Sequence, residues 1–181
     1  MKNILLIGCG HMGGSLMSGW SNSKNYTISV IDKKKYAILK KRNRNKKIKF
    51  FKSINDINDQ NNFDFIIFAT RPLELTNVFK ELKNANFNKK SIAISVIAGK
   101  KTEIFKKNLL NIRKIVRVMP NMPALIGEGV HCIYTNKSIN KKEIKEIDKL
   151  FSLSGKTLFF NSETFIDKAT AVSGSGPGFI F

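Results

Sequence analysis

The chain has 181 residues, enough for one well-buried α/β domain with a small appendage, and 42% of them are hydrophobic. It contains no apolar run long enough to cross a bilayer, and its two cysteines, Cys9 and Cys132, fit neither a metal site nor a disulfide framework. The formal net charge of +19 invites a nucleic-acid partner, but only five of the 32 basic residues are arginine and the lysines spread over nearly every predicted helix surface, which argues against that partner and for solvated faces.

Met1, Lys2 and Asn3 lead straight into the apolar run Ile4 to Ile7, so no cleaved signal peptide is expected and the cytoplasm is the expected compartment. That run predicts a strand. Behind it stands Gly8-Cys9-Gly10-His11-Met12-Gly13, a G-x-G-x-x-G loop that opens a helix rich in small residues. The chemistry behind this spacing is specific. The first glycine permits a tight turn, the second lets backbone approach a pyrophosphate, and the third lets helix pack closely on strand. Amides at the helix start then receive the phosphate charge. His11, at a variable position of the loop, reads as a phosphate neighbour or a surface residue rather than a general base.

Tyr26 to Ile31 predicts a second strand that ends in Asp32, where a carboxylate would read ribose hydroxyls, and Lys33, Lys34 and Lys35 follow it. A carboxylate turned to the ribose favours NAD(H). If Asp32 turns away, these lysines and Asn55 offer a clamp for the 2′-phosphate of NADP(H), and the sequence leaves the choice open. Further strands are expected at Lys47 to Phe51, Phe63 to Ala69, Ser91 to Ala98 and Ile115 to Met119, with helices at Leu73 to Leu82 and Thr102 to Leu110 between them. Gly129 to Tyr134 and Lys156 to Phe160 complete the strands, separated by a charged amphipathic helix from Asn140 to Phe151. The alternation predicts an α/β fold of the Rossmann type, a doubly wound and mostly parallel sheet.

Ligands of such sheets bind beyond the carboxyl ends of the strands. The segments found there are the glycine loop, Asp32-Lys33, the loop holding Ser53 and Asn55, Ala69-Thr70-Arg71-Pro72, Ile97-Ala98-Gly99, and Met119-Pro-Asn-Met-Pro123. Arg71 is placed to meet a ribose or phosphate, and Asn121 on its proline-flanked loop to meet nicotinamide or substrate; for each, a plain surface or turn role fits as well. His131, inside a strand-like run, is expected to be structural.

The Rossmann-type domain is expected to span residues 1–161. Ser162, Glu163 and Thr164 then cap a new helix to about Ala171, which Ser173-Gly-Ser-Gly-Pro177 breaks. The apolar ending Gly178-Phe-Ile-Phe181 leads us to expect the N-terminal portion of a longer architecture, with 162–181 as the truncated beginning of an all-α second domain.

Several blocks together resemble the pyrroline-5-carboxylate reductase family. They are the loop Gly8 to Gly13, Ala69-Thr-Arg-Pro72, Ser95-Val-Ile-Ala-Gly99, the stretch Val116 to Gly129 around Met-Pro-Asn-Met-Pro, and Ala171-Val-Ser-Gly-Ser-Gly-Pro177. The resemblance implies reduction of 1-pyrroline-5-carboxylate to L-proline, with NADP(H) or NAD(H) as hydride donor. Carried over residue by residue, it places dinucleotide contacts at Gly8, Cys9, Gly10, His11, Met12, Gly13, Asp32, Lys33, Asn55, Ala69, Thr70, Arg71, Pro72, Val96, Ile97 and Ala98. It needs no nucleophile and no metal. It also implies self-association through a helical second domain, whose loss would leave a binding fragment without turnover. Arg71, Met122 and Gly178 depart from the usual lysine, threonine and alanine. The alternative from another class is a basic nucleic-acid-binding protein on a Rossmann frame.

Overall fold

The structure is a computed structural model that describes residues 1–121, 123–124 and 127–169. Eight strands form one sheet: β1 (Lys2–Ile7), β2 (Tyr26–Ile31), β3 (Ile48–Phe51), β4 (Phe65–Phe68), β5 (Ile92–Ser95), β6 (Lys114–Pro120), β7 (Gly129–Thr135) and β8 (Gly155–Phe160). Five helices connect them: α1 (His11–Ser21), α2 (Tyr36–Arg42), α3 (Leu75–Glu81), α4 (Thr102–Asn108) and α5 (Lys141–Phe151). The spatial order is β3-β2-β1-β4-β5-β6-β7-β8. The first six strands are parallel, β7 runs antiparallel to β6, and β8 pairs parallel with β7. This is the doubly wound arrangement expected from the sequence, extended by two strands of opposite direction at one edge.

Side chains of a strand alternate between faces, so each apolar strand of the middle feeds two cores. Ile4 and Leu6 join Ile28, Val30, Ile67 and Ile94 on one face, under Leu16 and Trp20 of α1 and Leu150 and Phe151 of α5. Leu5 and Ile7 join Ile66, Phe68 and Ile115 on the other, under Leu75 and Phe79 of α3 and Phe105 of α4. β4 and β5 are buried at every residue, as strands covered on both faces must be. They are shorter than the apolar runs that contain them, because Phe63, Ala69 and Val96 to Ala98 lie in the flanking turns.

The first core is keyed by Trp20. Its indole Nε1 donates to the Leu150 carbonyl at 3.0 Å, and its ring meets Phe151 edge-on with centroids 6.1 Å apart. α5 starts at a capping box in which Asn140 accepts from the Glu143 amide and Glu143 accepts from the Asn140 amide. His131 is fully buried beside Phe151, its Nε2 2.9 Å from Ser154 Oγ. Ser154 Oγ also lies 3.2 Å from the Phe151 carbonyl, and Nδ1 of His131 is buried with no hydrogen-bond partner among the described residues.

Residues 163–169 are helical and pack against the end of the sheet. Arg117 of β6, 1% exposed, holds them: its Nη1 donates to Glu163 Oε1 at 3.3 Å, and its Nη2 lies 2.7 Å from Asp167 Oδ1 as an ion pair outside hydrogen-bonding angles. Glu163 also accepts from the Thr102 amide and hydroxyl at the start of α4. Met122 and the segment from residue 170 onward, including Ser173 to Pro177 and Gly178 to Phe181, lie outside the described residues.

Candidate functional site

Chain order reverses direction across the sheet between β1 and β4, and a crevice opens beyond their carboxyl ends. β1 runs into Gly8, whose φ of +92° suits glycine and whose missing side chain admits β4's exit: a Cβ there would stand 2.8 Å from the Ala69 carbonyl oxygen. Gly13 is packed still more tightly, with a Cβ position 2.4 Å from the Gly8 carbonyl oxygen. Those two glycines are explained by the fold. Gly10 is not, since a Cβ built on it meets no described atom within 4 Å and its φ of −72° is ordinary. That open face leaves room for a ligand to approach the helix start from outside the chain.

The helix behind the loop is equally prepared. α1 begins with no side-chain cap and no acidic residue in its first turn, so its leading amides are presented to the crevice and attract an anion. Nearby, the Thr70 hydroxyl is buried with no hydrogen-bond partner among the described residues. An uncapped helix start, an open glycine and an orphaned hydroxyl together fit a dinucleotide pyrophosphate and its ribose.

Asp32 does not point freely into this space. Its Oδ2 accepts from the Cys9 amide at 2.8 Å and its Oδ1 from the Lys35 amide at 2.9 Å, so the carboxylate staples the glycine loop to the turn after β2. Lys35 reinforces the staple by donating from Nζ to the Cys9 carbonyl at 3.1 Å. Lys34 crosses the crevice instead, its Nζ 2.6 Å from Oε1 of Glu74 at the start of α3. That bond holds the Glu74 carboxyl below the usual carboxylate range.

Two adjoining grooves share Gly8, Asp32, Lys34, Thr70 and Glu74. One, of about 470 Å³, adds Gly10, His11, Met12, Ala69, Arg71 and Pro72. The other, of about 380 Å³, adds Lys33, Lys52, Asn77 and Glu81. The structure thus brings together most residues that the sequence nominates. Cys9 is behind the loop, its thiol buried and its pKa pushed up by that burial. Asn55 sits exposed in the 3-10 turn Ile54–Asp56, and Val96, Ile97 and Ala98 follow β5; none of these four lines either groove. Asn121 spends its side-chain oxygen on the Val130 amide at 2.8 Å, fastening the end of β6 to β7. Nothing in the spacing of Glu74, Lys52 and Asn77 marks them in the sequence, because they reach the crevice from α3 and from the end of β3 only once the sheet is wound. Among the described residues, no group of three or more His, Cys, Asp or Glu side chains is placed to hold a metal.

Fold and crevice define a dinucleotide-binding domain of the doubly wound class. A sequence model of the family described as "NADP oxidoreductase coenzyme F420-dependent" matches residues 3–99, and the chain belongs to that family. Among curated relatives, it is similar to the pyrroline-5-carboxylate reductase of Aquifex aeolicus, 37% identical over 120 residues that cover 66% of this chain and 43% of the relative. It is also similar to that of Haemophilus influenzae, 30% identical over 186 residues that cover 99% of this chain and 65% of the relative. The chain therefore spans less than two thirds of these relatives' length. Two solved structures superpose on it: Plasmodium falciparum pyrroline carboxylate reductase with NADP bound, at TM-score 0.76 and 25% identity over 99% of this chain and 64% of that one, and a pyrroline-5-carboxylate reductase from Coxiella burnetii, at TM-score 0.83 and 26% identity over 99% and 66%.

Proposed function

We propose that this chain provides the cofactor domain of a pyrroline-5-carboxylate reductase, the enzyme that reduces 1-pyrroline-5-carboxylate to L-proline in the last step of proline biosynthesis. The observation that carries the reading is Gly10, open on its side-chain face at the mouth of an uncapped helix, in a chain similar over its whole length to reductases of that name. NADP(H) is the proposed cofactor, supported by the inward turn of Asp32, the lysines beside it and the NADP-bound relative. NAD(H) is the second reading, since a carboxylate that accepts two bonds retains lone pairs for a ribose hydroxyl.

When bound, the nicotinamide supplies the hydride that an imine carbon accepts. The amides of the glycine loop and α1 hold the pyrophosphate, Thr70 and Arg71 lie against the ribose and phosphate path, and Asn121 shapes the loop beside the substrate. In this reading residues 1–161 form the cofactor domain and 162–181 begin a helical domain through which subunits associate, in a cytoplasmic homo-oligomer. Arg117 anchors 163–169 to the end of the sheet through Glu163 and Asp167. No helix of the described residues is long and apolar enough to cross a membrane.

Loss of NADPH absorbance on adding 1-pyrroline-5-carboxylate to the full-length gene product, with proline identified as product, supports the reading. NADPH binding with no proline formed would overturn the assigned substrate and leave the cofactor site standing.

A further inference from the structure

We propose that Glu74 sets the cofactor preference of the crevice by competing with a ribose 2′-phosphate for the ammonium of Lys34. The inference rests on the dinucleotide reading of the site and goes beyond it by assigning a specificity role to a residue of α3.

The Lys34–Glu74 pair spans the crevice between the turn after β2 and the turn after β4, and both residues line both grooves. The strand-end carboxylate at which a ribose is normally read, Asp32, is committed to the Cys9 and Lys35 amides. Charge that can rearrange around the ribose substituent therefore comes from the side walls, with the Asp32 carboxylate fixed between them. On one wall stand Lys33, Lys34 and Lys52; on the other, Glu74 and Glu81. Lys52 rests over the Tyr36 ring, 5.5 Å from its centroid, which keeps it beside the groove.

A 2′-phosphate entering this space is attracted by three ammonium groups and repelled by the carboxylates of Asp32, Glu81 and Glu74, of which Glu74 already occupies Lys34. To bind it, Lys34 must exchange one anion for another. A cofactor with a plain 2′-hydroxyl demands no such exchange and leaves the pair intact. Glu74 thus penalises the phosphorylated cofactor and not the other. Both side chains are well exposed, at 78% for Lys34 and 37% for Glu74, so the penalty is moderate and screened by salt.

The test is fluorescence titration of the folded chain with NADPH, NADH and 2′,5′-ADP, for the wild type, Glu74→Gln and Lys34→Gln, with thermal unfolding as the folding control. Removing Glu74 should tighten NADPH and 2′,5′-ADP by roughly three- to fivefold and leave NADH unchanged, as expected for a surface ion pair. Lys34→Gln should weaken the same two ligands by a similar factor, and high salt should shrink both effects. If NADPH and NADH bind but their ratio is the same in Glu74→Gln as in the wild type, this proposal is wrong while the cofactor site stands. If the folded wild type binds neither, the site reading and the proposal fall together.

Discussion

The Asp32 carboxylate and the Cys9 backbone amide, 23 residues apart in the chain, meet at 2.8 Å and fix the glycine loop against the end of β2. The second carboxylate oxygen takes the Lys35 amide, so one side chain orders both the glycine loop and the turn after β2. Asp32→Asn keeps one acceptor oxygen and brings an NH₂ group against an amide donor. It is expected to destabilise the fold by about 1–2 kcal/mol and to weaken both dinucleotides together. Urea unfolding followed by the fluorescence of Trp20, the single tryptophan, measures the first effect.

The three glycines of the loop separate by role. Gly13→Ala drives a methyl to within 2.4 Å of the Gly8 carbonyl oxygen, and the fold should lose about 3 kcal/mol. Gly10→Ala places its methyl in open space, so the unfolding midpoint should stay within experimental error of the wild type while dinucleotide affinity drops. Equal destabilisation by the two substitutions would contradict this division.

How much of this was legible beforehand differs between fold and site. The continuous burial of Ile4 to Ile7 and of β4 is visible as unbroken apolar runs, since burial on both faces acts on every residue of a strand. Phe63 and Val96 to Ala98 extend the apolar runs past the strand ends because apolar residues continue into turns that still pack on the sheet. The Gly8 to Gly13 loop was readable because its chemistry is backbone chemistry. The orientation of Asp32 was not, since it depends on which amide the neighbouring loop delivers. Glu74 and Arg117 were invisible as partners for the same reason: Lys34 with Glu74, and Arg117 with Glu163 and Asp167, are joined only by the winding of the sheet.

Arg117 predicts an asymmetry between its two carboxylates. Glu163 also receives the Thr102 amide and hydroxyl, whereas Asp167, with a side chain 42% exposed, makes only the ion pair among the described residues. Glu163→Ala should therefore cost about 2 kcal/mol, and Asp167→Ala less than about 1 kcal/mol. Limited proteolysis across 162–169 should be faster in the first variant than in the second.

Acid should weaken the fold through His131. Burial holds its pKa below the ordinary 6.5, while in the unfolded chain the imidazole regains that value. As pH falls through 6.5 the unfolded state takes up the proton first, so stability declines from there towards the lower folded pKa; above that range both states are neutral and the contribution vanishes. His131→Gln should be less stable at neutral pH and show a flatter stability profile between about pH 7 and 5.

The cofactor site itself is tested most directly by calorimetric titration of the folded chain with NADPH, in the wild type and in Gly10→Val. A Cβ at Gly10 meets no described atom within 4 Å, and a valine there extends into the approach to the helix start. We predict saturable binding at one site per chain in the wild type, and its loss in a variant whose unfolding midpoint is unchanged. Absence of binding by the folded wild-type chain, or undiminished binding by Gly10→Val, would contradict the placement of the cofactor in this crevice.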